Sequence, residues 1–427
     1  MSLSLLLAWR NLWRHKRRTW LTLAAMMFSN VLLIFMISLQ LSTYDLMISN
    51  SLRAFSGQLQ LNKEGYQDEQ KMRQSINNAQ SLLASMEPEF KDFVFAPRAS
   101  AFVLAGSETR SYGIAVTGVD VEKEKQVSNI AQSIVQGSYL SAAANIAQHN
   151  AEQQAMAIVL GDGLARNLNI KPGEELTLMG STYDGGFAAA VVVVQGIFKS
   201  GVVDVDRSVA QIHLKDFDAI FAMEGRVHSI VINGPVLDDA KLYQQQLDSY
   251  IEQHQLRQAS SNPKLALLNW QQLHPAIKQS IEADFVSSWF MYSVLIILVS
   301  FSVLNTQLMS VLERTREFGI MMAVGCRHGV LVRLIFSEVF LLAGLGFVLG
   351  VALGTLVVLY FSHHGLSFPG MEDAAALYNM PTTLYPQLSL LSLTMGPAVL
   401  FLACLLATLY PALRLYFLQP VVAMRAK

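Results

Sequence analysis

Glu313-Arg-Thr-Arg-Glu-Phe-Gly-Ile-Met-Met-Ala-Val-Gly325 decides how this 427-residue chain is read. Its opening carries four charges, Glu313, Arg314, Arg316 and Glu317, and its remainder is the apolar set Phe318, Ile320, Met321, Met322 and Val324. On one side lies an uncharged apolar run, residues 285–312; on the other, residues 330–361 hold only Arg333 and Glu338, both in the first turns. A crossing helix needs about 20 mostly apolar residues, because it must satisfy its own backbone across about 30 Å of hydrocarbon. Residues 19–44, uncharged throughout, and residues 388–410 also qualify. The fold expected is therefore an α-helical membrane protein with four transmembrane helices.

Composition agrees. Only 15% of residues are charged and 52% are hydrophobic, with a mean hydropathy of +0.35; soluble domains carry about 25% charged residues. Residues 41–285 hold 19 Lys/Arg against 27 Asp/Glu, whereas the rest holds 12 against 5. An acidic, water-exposed domain is thus expected between helices 1 and 2, flanked by apolar segments with basic margins. Cys326 and Cys404 lie outside the acidic segment, so no disulfide framework or cysteine-rich zinc site is expected there.

Basic residues mark the cytoplasmic side. Arg10, Arg14, Lys16, Arg17 and Arg18 precede the first apolar run. Arg314, Arg316, Arg327 and Arg333 lie in or beside the link 313–329, and Arg414, Arg425 and Lys427 follow the fourth run. The link 362–387 has no Lys or Arg, only Glu372 and Asp373. Both ends, including the tail 411–427, and the link 313–329 are expected inside, with residues 45–284 outside. The first run is too long for a cleaved leader and lacks a small-x-small site, so it reads as an uncleaved anchor.

Leu5, Leu6, Trp9, Leu12, Trp13 and Trp20 recur at helical spacing opposite Arg10, Arg14, Arg17 and Arg18, which predicts an amphipathic elbow helix over residues 1–18 in the headgroup layer, against the plainer reading of a positive-inside anchor. Gly346, Gly350 and Gly354 recur every four residues, a small face that lets a second helix approach closely. The external domain reads as α/β flanks, about 45–96 and 215–284, around a β-rich insert, about 97–214. Strands are expected near 58–62, 93–104, 111–119, 176–179, 188–197, 209–214 and 228–233. Helices are expected over 68–86, 164–168, 238–254 and 270–283.

No catalytic chemistry is legible. The chain lacks G-x-x-x-x-G-K-[ST], H-E-x-x-H and G-x-S-x-G, so no nucleotide loop, zinc-protease helix or nucleophile elbow is expected. Gly161-Asp-Gly163 reads as a turn rather than a phosphate cradle, and His363-His364 as interfacial rather than metal-binding. No cofactor, metal or nucleic-acid partner is expected. At mid-membrane depth the polar residues are few: Asn30, Asn305 and Gln307.

The Glu313–Gly325 sequence, followed by Glu338, resembles the signature of the FtsX/MacB-like permeases of ABC transporters. Ala8-Trp-Arg-Asn-Leu12 is similar to that family's N-terminus, and Tyr410-Pro-Ala-Leu-Arg414 with Pro420-Val-Val-Ala-Met-Arg425 to its C-terminus. Gly57-Gln-Leu-Gln-Leu61 with Gly65-Tyr66, Ile158-Val-Leu-Gly-Asp-Gly-Leu-Ala165, and Asn269-Trp270 with Ile281-Glu282 resemble the lipoprotein-releasing LolC/LolE branch. The resemblance implies a MacB-like periplasmic domain in the bacterial inner membrane. It implies a coupling helix whose Glu313, Arg314, Arg316, Glu317, Phe318, Gly319, Met322 and Gly325 dock on a separate ATPase dimer, with Glu338 in a coupling role. ATP and magnesium would be bound by that partner, and the unit would hold two permease copies, identical or paralogous. Mechanotransmission to a lipidic cargo such as a lipoprotein is the function implied. Export of a small amphiphile or peptide, and regulation of a cell-wall hydrolase, are the alternatives.

Overall fold

The computed structural model describes residues 3–14, 16–141, 156–236, 240–254, 264–367 and 383–417. The start expected for a helix at Asp238, Glu372 with Asp373, most of the link 362–387, and the tail residues Pro420, Arg425 and Lys427 lie outside these. The chain divides into a helical unit (residues 1–45, 280–369 and 381–427) and a β-rich unit (46–279 and 370–380).

Among the described residues, four helical segments are long and apolar enough to cross a membrane: Lys16–Ser56, Pro275–Glu313, His328–His364 and Leu390–Tyr416. The elbow is shorter than residues 1–18. Helix α1 covers Leu3–Leu12, a turn follows, and α2 runs Lys16–Ser51. Thr19 Oγ1 donates to the Leu12 carbonyl at 2.6 Å and closes that turn, so Lys16, Arg17 and Arg18 open the long helix instead of extending the amphipathic one. The helices α10 (Pro275–Glu313), α11 (Thr315–Ala323) and α12 (His328–His364) follow in sequence. Residues 388–410 are not one continuous helix. The helix α13, Leu390–Ala407, gives way at Thr408 to α14, Leu409–Tyr416. The core joins Leu23, Met26, Leu33 and Ile37 of α2 to Tyr292, Val299 and Val303 of α10, Val339 and Leu342 of α12, and Leu400 and Cys404 of α13.

The β-rich unit is built on one ten-stranded sheet. Strands β2 (Val94–Gly106), β3 (Ser111–Val119), β8 (Val209–His213), β5 (Met156–Gly161), β7 (Phe187–Phe198) and β6 (Glu175–Ser181) pair in that order, and β6 pairs back onto β2. The ring is therefore closed, which removes exposed edges. Its core includes Val103, Val116, Ile158, Leu160, Leu178, Val192 and Ile212. Helices α5 (Asp162–Leu168) and α7 (Leu214–Phe221) add Leu164, Leu168, Phe217 and Phe221.

Beside the ring stands an open wing. Strand β1 (Leu59–Lys63) lies between β10 (Leu265–Asn269) and β9 (Ser229–Asn233), and β9 pairs with the start of β2. Helices α3 (Ala79–Met86) and α8 (Ala240–Gln253) supply Leu82, Leu83, Met86, Leu247 and Ile251 to a second core. The boundary placed at 97 thus falls inside β2, which serves both cores. The boundary placed at 214 precedes α7, whose two phenylalanines belong to the ring.

A helix over 68–86 does not form. Only Ala79–Met86 is helical, because Ile76 is bridged to Val227 as extended backbone just upstream. The stretch 270–283 breaks at His274 into a four-residue helix α9 (Trp270–Leu273) and the start of α10 at Pro275, a residue suited to a first helical turn. Two further helices, α4 (Val121–Val127) and α6 (Val203–Ser208), are too short for periodicity to reveal. Glu124 of α4 and Arg98 of β2 form a buried pair, 2.9 Å from Nε and 2.8 Å from Nη2, and Ser128 Oγ and Gln211 Nε2 also donate to the carboxylate. Arg98 further donates to the Phe55 carbonyl, just after the helix from residue 16 ends.

Candidate functional site

The helix α10 breaks at Arg314, whose backbone leaves the helical region (φ −101, ψ 10), and α11 starts one residue later. This break turns the short helix so that one side packs on its own unit. Phe318 is 1% exposed and Met322 is buried, packed among Ala8 of α1, Val311 of α10, Leu331, Leu334 and Ile335 of α12, and Leu415 of α14. Gly319 is buried between them. Phe318, Gly319 and Met322, expected to dock a partner, therefore face inward.

Open to solvent are Glu313, Arg316, Ile320, Ala323, Val324 and Gly325. Arg316, Ile320 and Val324 are four apart and share one helix face. Ile320 is 50% exposed and Val324 84%. Gly325 has φ +102, a left-handed conformation that ends the helix and strains any residue with a side chain.

The charged residues at the start of the segment are tied down. Arg314 Nη1 reaches Glu338 Oε1 at 2.8 Å, with side-chain exposures of 12% and 6%. The same oxygen accepts from Asn11 Nδ2 at 2.7 Å. Arg14 pairs with Glu317 at 2.9 Å and Arg18 with Glu313 at 3.0 Å, and Arg18 also donates to the Thr306 carbonyl. Burial raises the Glu317 pKa, but hydrogen bonds and charge from Arg14 and Arg314 outweigh it and hold the carboxyl below its usual range. Removing one member of a buried pair leaves an uncompensated charge, so Arg314 and Glu338 constrain α1, α11 and α12 together.

Asn11, Arg14 and Arg18 are site residues that sequence reasoning left as an anchor's basic margin. The signal was present in Ala8-Trp-Arg-Asn-Leu12, which contains Asn11. Helical spacing cannot say which acidic residues such a stretch will meet.

The glycine stripe packs on α2. A Cβ at Gly346, Gly350 or Gly354 would lie 2.9, 2.6 or 2.9 Å from Met26, Asn30 or Ile34 respectively. Asn30 Nδ2 donates to the Gly346 carbonyl at 3.2 Å, a bond possible only at this close approach. Gly344 of the same helix meets nothing within 4 Å.

The remaining motifs hold no ligand geometry. A Cβ on Gly161 would lie 2.3 Å from the Asp206 carbonyl oxygen, so α6 fills the space a phosphate would need. His364 stacks on Tyr360 at 4.3 Å. Among the described residues, no cluster of three His, Cys, Asp or Glu side chains is placed to hold a metal ion.

Residues 289–420 match the FtsX-like permease C-terminal family. The macrolide export ATP-binding/permease protein MacB of Neisseria gonorrhoeae is 42% identical over 74 residues, which are 17% of this chain and 11% of that protein. The chain thus spans about a tenth of the MacB protein it matches. The lipoprotein-releasing system transmembrane protein LolC of Neisseria meningitidis serogroup B is 23% identical over 295 residues, 63% of this chain and 64% of LolC. Among solved structures, the periplasmic region of MacB from Actinobacillus actinomycetemcomitans matches 52% of this chain and 92% of its own, at 14% identity and a TM-score of 0.34. The extracellular domain of the Gram-positive transporter YknZ matches 50% of this chain and all of its own, at 11% identity and a TM-score of 0.33.

Proposed function

We propose that this chain, whose residues 289–420 match the FtsX-like permease C-terminal family, is the membrane subunit of an ABC transporter, driven by a separate cytoplasmic ATPase dimer. The observation that carries this reading is α11, a short helix clamped on one side by Phe318, Met322 and the Arg314–Glu338 pair, with Arg316, Ile320 and Val324 left exposed on another. An exposed apolar pair beside a charge suits insertion into a partner's groove, with the charge setting register. The docking face is therefore assigned to Arg316, Ile320, Ala323 and Val324, and Phe318 and Met322 become its internal support. ATP and magnesium belong to the partner.

The mechanism assigned is mechanotransmission in the bacterial inner membrane. Closure of the ATPase pair pushes α11, and the clamp passes that push to α1, α10 and α12. The β-rich unit, placed on the periplasmic side by the distribution of basic residues, handles a lipidic cargo such as a lipoprotein. A second permease copy completes the unit. The scarcity of polar groups at mid-membrane depth favours cargo that enters from the bilayer over a hydrophilic conduit.

The test is co-purification of the partner ATPase with variants of α11. Val324→Asp and Ile320→Asp should abolish it while the permease still inserts and melts as wild type. Phe318→Ala should lower stability first, since it empties a filled core site. Retained ATPase on Val324→Asp and Ile320→Asp would remove α11 as the docking element.

A further inference from the structure

The ring carries a bare apolar face on its outer side. Alternation along β2 turns Val103 and Ala105 into the core and Phe102 and Leu104 outward. Leu104 stands opposite Met179 of β6, and Met179 opposite Ala189 of β7, so one row crosses three strands. The rows beside it add Gly106, Thr177 and Val191 on one side and Ser181 with Phe187 on the other. Phe102 is 66% exposed, Leu104 44%, Phe187 76% and Val191 55% among the described residues. No Asp, Glu, Lys or Arg occurs in residues 102–106, 177–181 or 187–193. Those four exposed side chains alone leave roughly 450 Å² open, the size of a monomer's largest apolar patch, which is often functional.

Shape, area and charge select the occupant. The outside of a closed ring is convex and encloses no acyl chain or small molecule, whose sites are concave. A standard interface buries about 800 Å² per partner, nearly twice what this face offers, so a freely diffusing protein would be held weakly. A partner held in the same membrane needs far less, because tethering raises its effective concentration to about millimolar. Residues 41–285 hold 27 acidic against 19 basic residues, so two copies repel except where charge is absent, and this face buries no charge on closing. An uncharged face needs no complement of opposite sign and can meet itself about a two-fold axis.

We propose that the outer face of β2, β6 and β7 is where the β-rich unit of this chain meets that of a second copy, with Phe102, Leu104, Phe187 and Val191 at the contact. This rests on the two-copy permease reading and gives it a surface.

Two copies of the full chain carrying different tags, with Cys326 and Cys404 replaced, are co-expressed and cross-linked in native membranes with a flexible bismaleimide. Ser181→Cys, exposed on the middle of the three strands, should give a covalent product joining the two tags, whereas Asn167→Cys, exposed on α5 away from the face, should not. Phe187→Asp and Val191→Asp each set a carboxylate from both copies into the contact and should cut the Ser181→Cys product about tenfold. Both positions are exposed, and an unchanged melting temperature shows that the variants fold. Tags that co-purify without a Ser181→Cys product above the Asn167→Cys level would overturn the face and leave two copies standing. A product joining Ser181→Cys to a different protein would overturn the occupant, and a product undiminished by Phe187→Asp and Val191→Asp would overturn the apolar contact. Tags that do not co-purify would end the two-copy reading and this face with it, while ATPase co-purification tests the permease reading separately.

Discussion

One oxygen of Glu338 accepts from both Arg314 Nη1, at 2.8 Å, and Asn11 Nδ2, at 2.7 Å. Two neighbouring elements near the middle of the helical unit thus meet the distant first helix at a single atom, and the charge they hold is almost wholly removed from water. Replacing Glu338 by Ala leaves the largely buried Arg314 with only its longer contact to Glu317, at 3.4 Å, and should cost up to about 3–5 kcal/mol, the full penalty of an uncompensated buried charge. Thermal unfolding of the purified chain in detergent should fall accordingly. Arg314→Met combined with Glu338→Met should recover much of the loss, since apolar residues of similar volume replace a buried pair at little cost. A double variant as unstable as the single one would mean that the carboxylate acts through some other contact.

The glycine stripe offers an internally controlled pair. Gly350→Ala places a methyl 2.6 Å from the Asn30 Cβ and should destabilise the chain by about 1–3 kcal/mol. Gly344→Ala, six residues away in the same helix, meets open space and should be close to neutral. Equal melting temperatures for the two variants would show that the α2–α12 contact is looser than described.

His228 gives the β-rich unit a pH dependence. Burial lowers its pKa to about 4, opposed in part by the hydrogen bond to the Met72 carbonyl. Nδ1 accepts from the Ser100 N–H at 3.0 Å, so a proton there would set two donors against each other. The folded pKa lies below the ordinary value of 6.5, so the unfolded chain binds the extra proton first as pH falls. Stability from this residue is complete above pH 6.5 and declines to pH 4, by about 3 kcal/mol in total. Melting temperatures between pH 4 and 7 should follow that slope, and His228→Gln should flatten it.

Orientation is checked by thiol labelling of intact cells, with Cys326 and Cys404 replaced. Exposed Asn167 serves as the reporter position in the β-rich unit. A cysteine at Asn167 should react with an impermeant reagent and one at Arg316 should not. The reverse pattern would invert the topology drawn from the basic residues.

What the sequence disclosed, and what it hid, divides along the range of the interactions. Apolar runs betray long helices because each backbone satisfies itself within one segment. Alternation betrays strands such as β2 and β7 because their two faces differ. The closure of β6 onto β2 is a pairing between residues about 70 apart, and no local pattern encodes it. Phe318 shows the same limit at the site. Its spacing with Met322 reveals an apolar helix face, yet whether that face meets a partner or its own chain depends on Ala8, Ile335 and Leu415, which lie far along the sequence. Asn11 was visible only as a letter in a familiar string, because an amide carries no periodic signature.

The helix Pro275–Glu313 has 39 residues and is about 58 Å long at 1.5 Å per residue, nearly twice the hydrocarbon thickness. No proline or glycine interrupts it after its first residue, so no hinge is built into its length. Such a rod is a lever: a tilt of about 10° about one end sweeps the other through about 10 Å, and the side chains that must slide are those that pack, such as Tyr292, Val299 and Val303. The fourth apolar segment, with Pro397 inside and a joint at Thr408, has no such stiffness. Strokes of this size are within reach of paired spin labels, one near each end of the long helix, read against a fixed point on Leu390–Ala407.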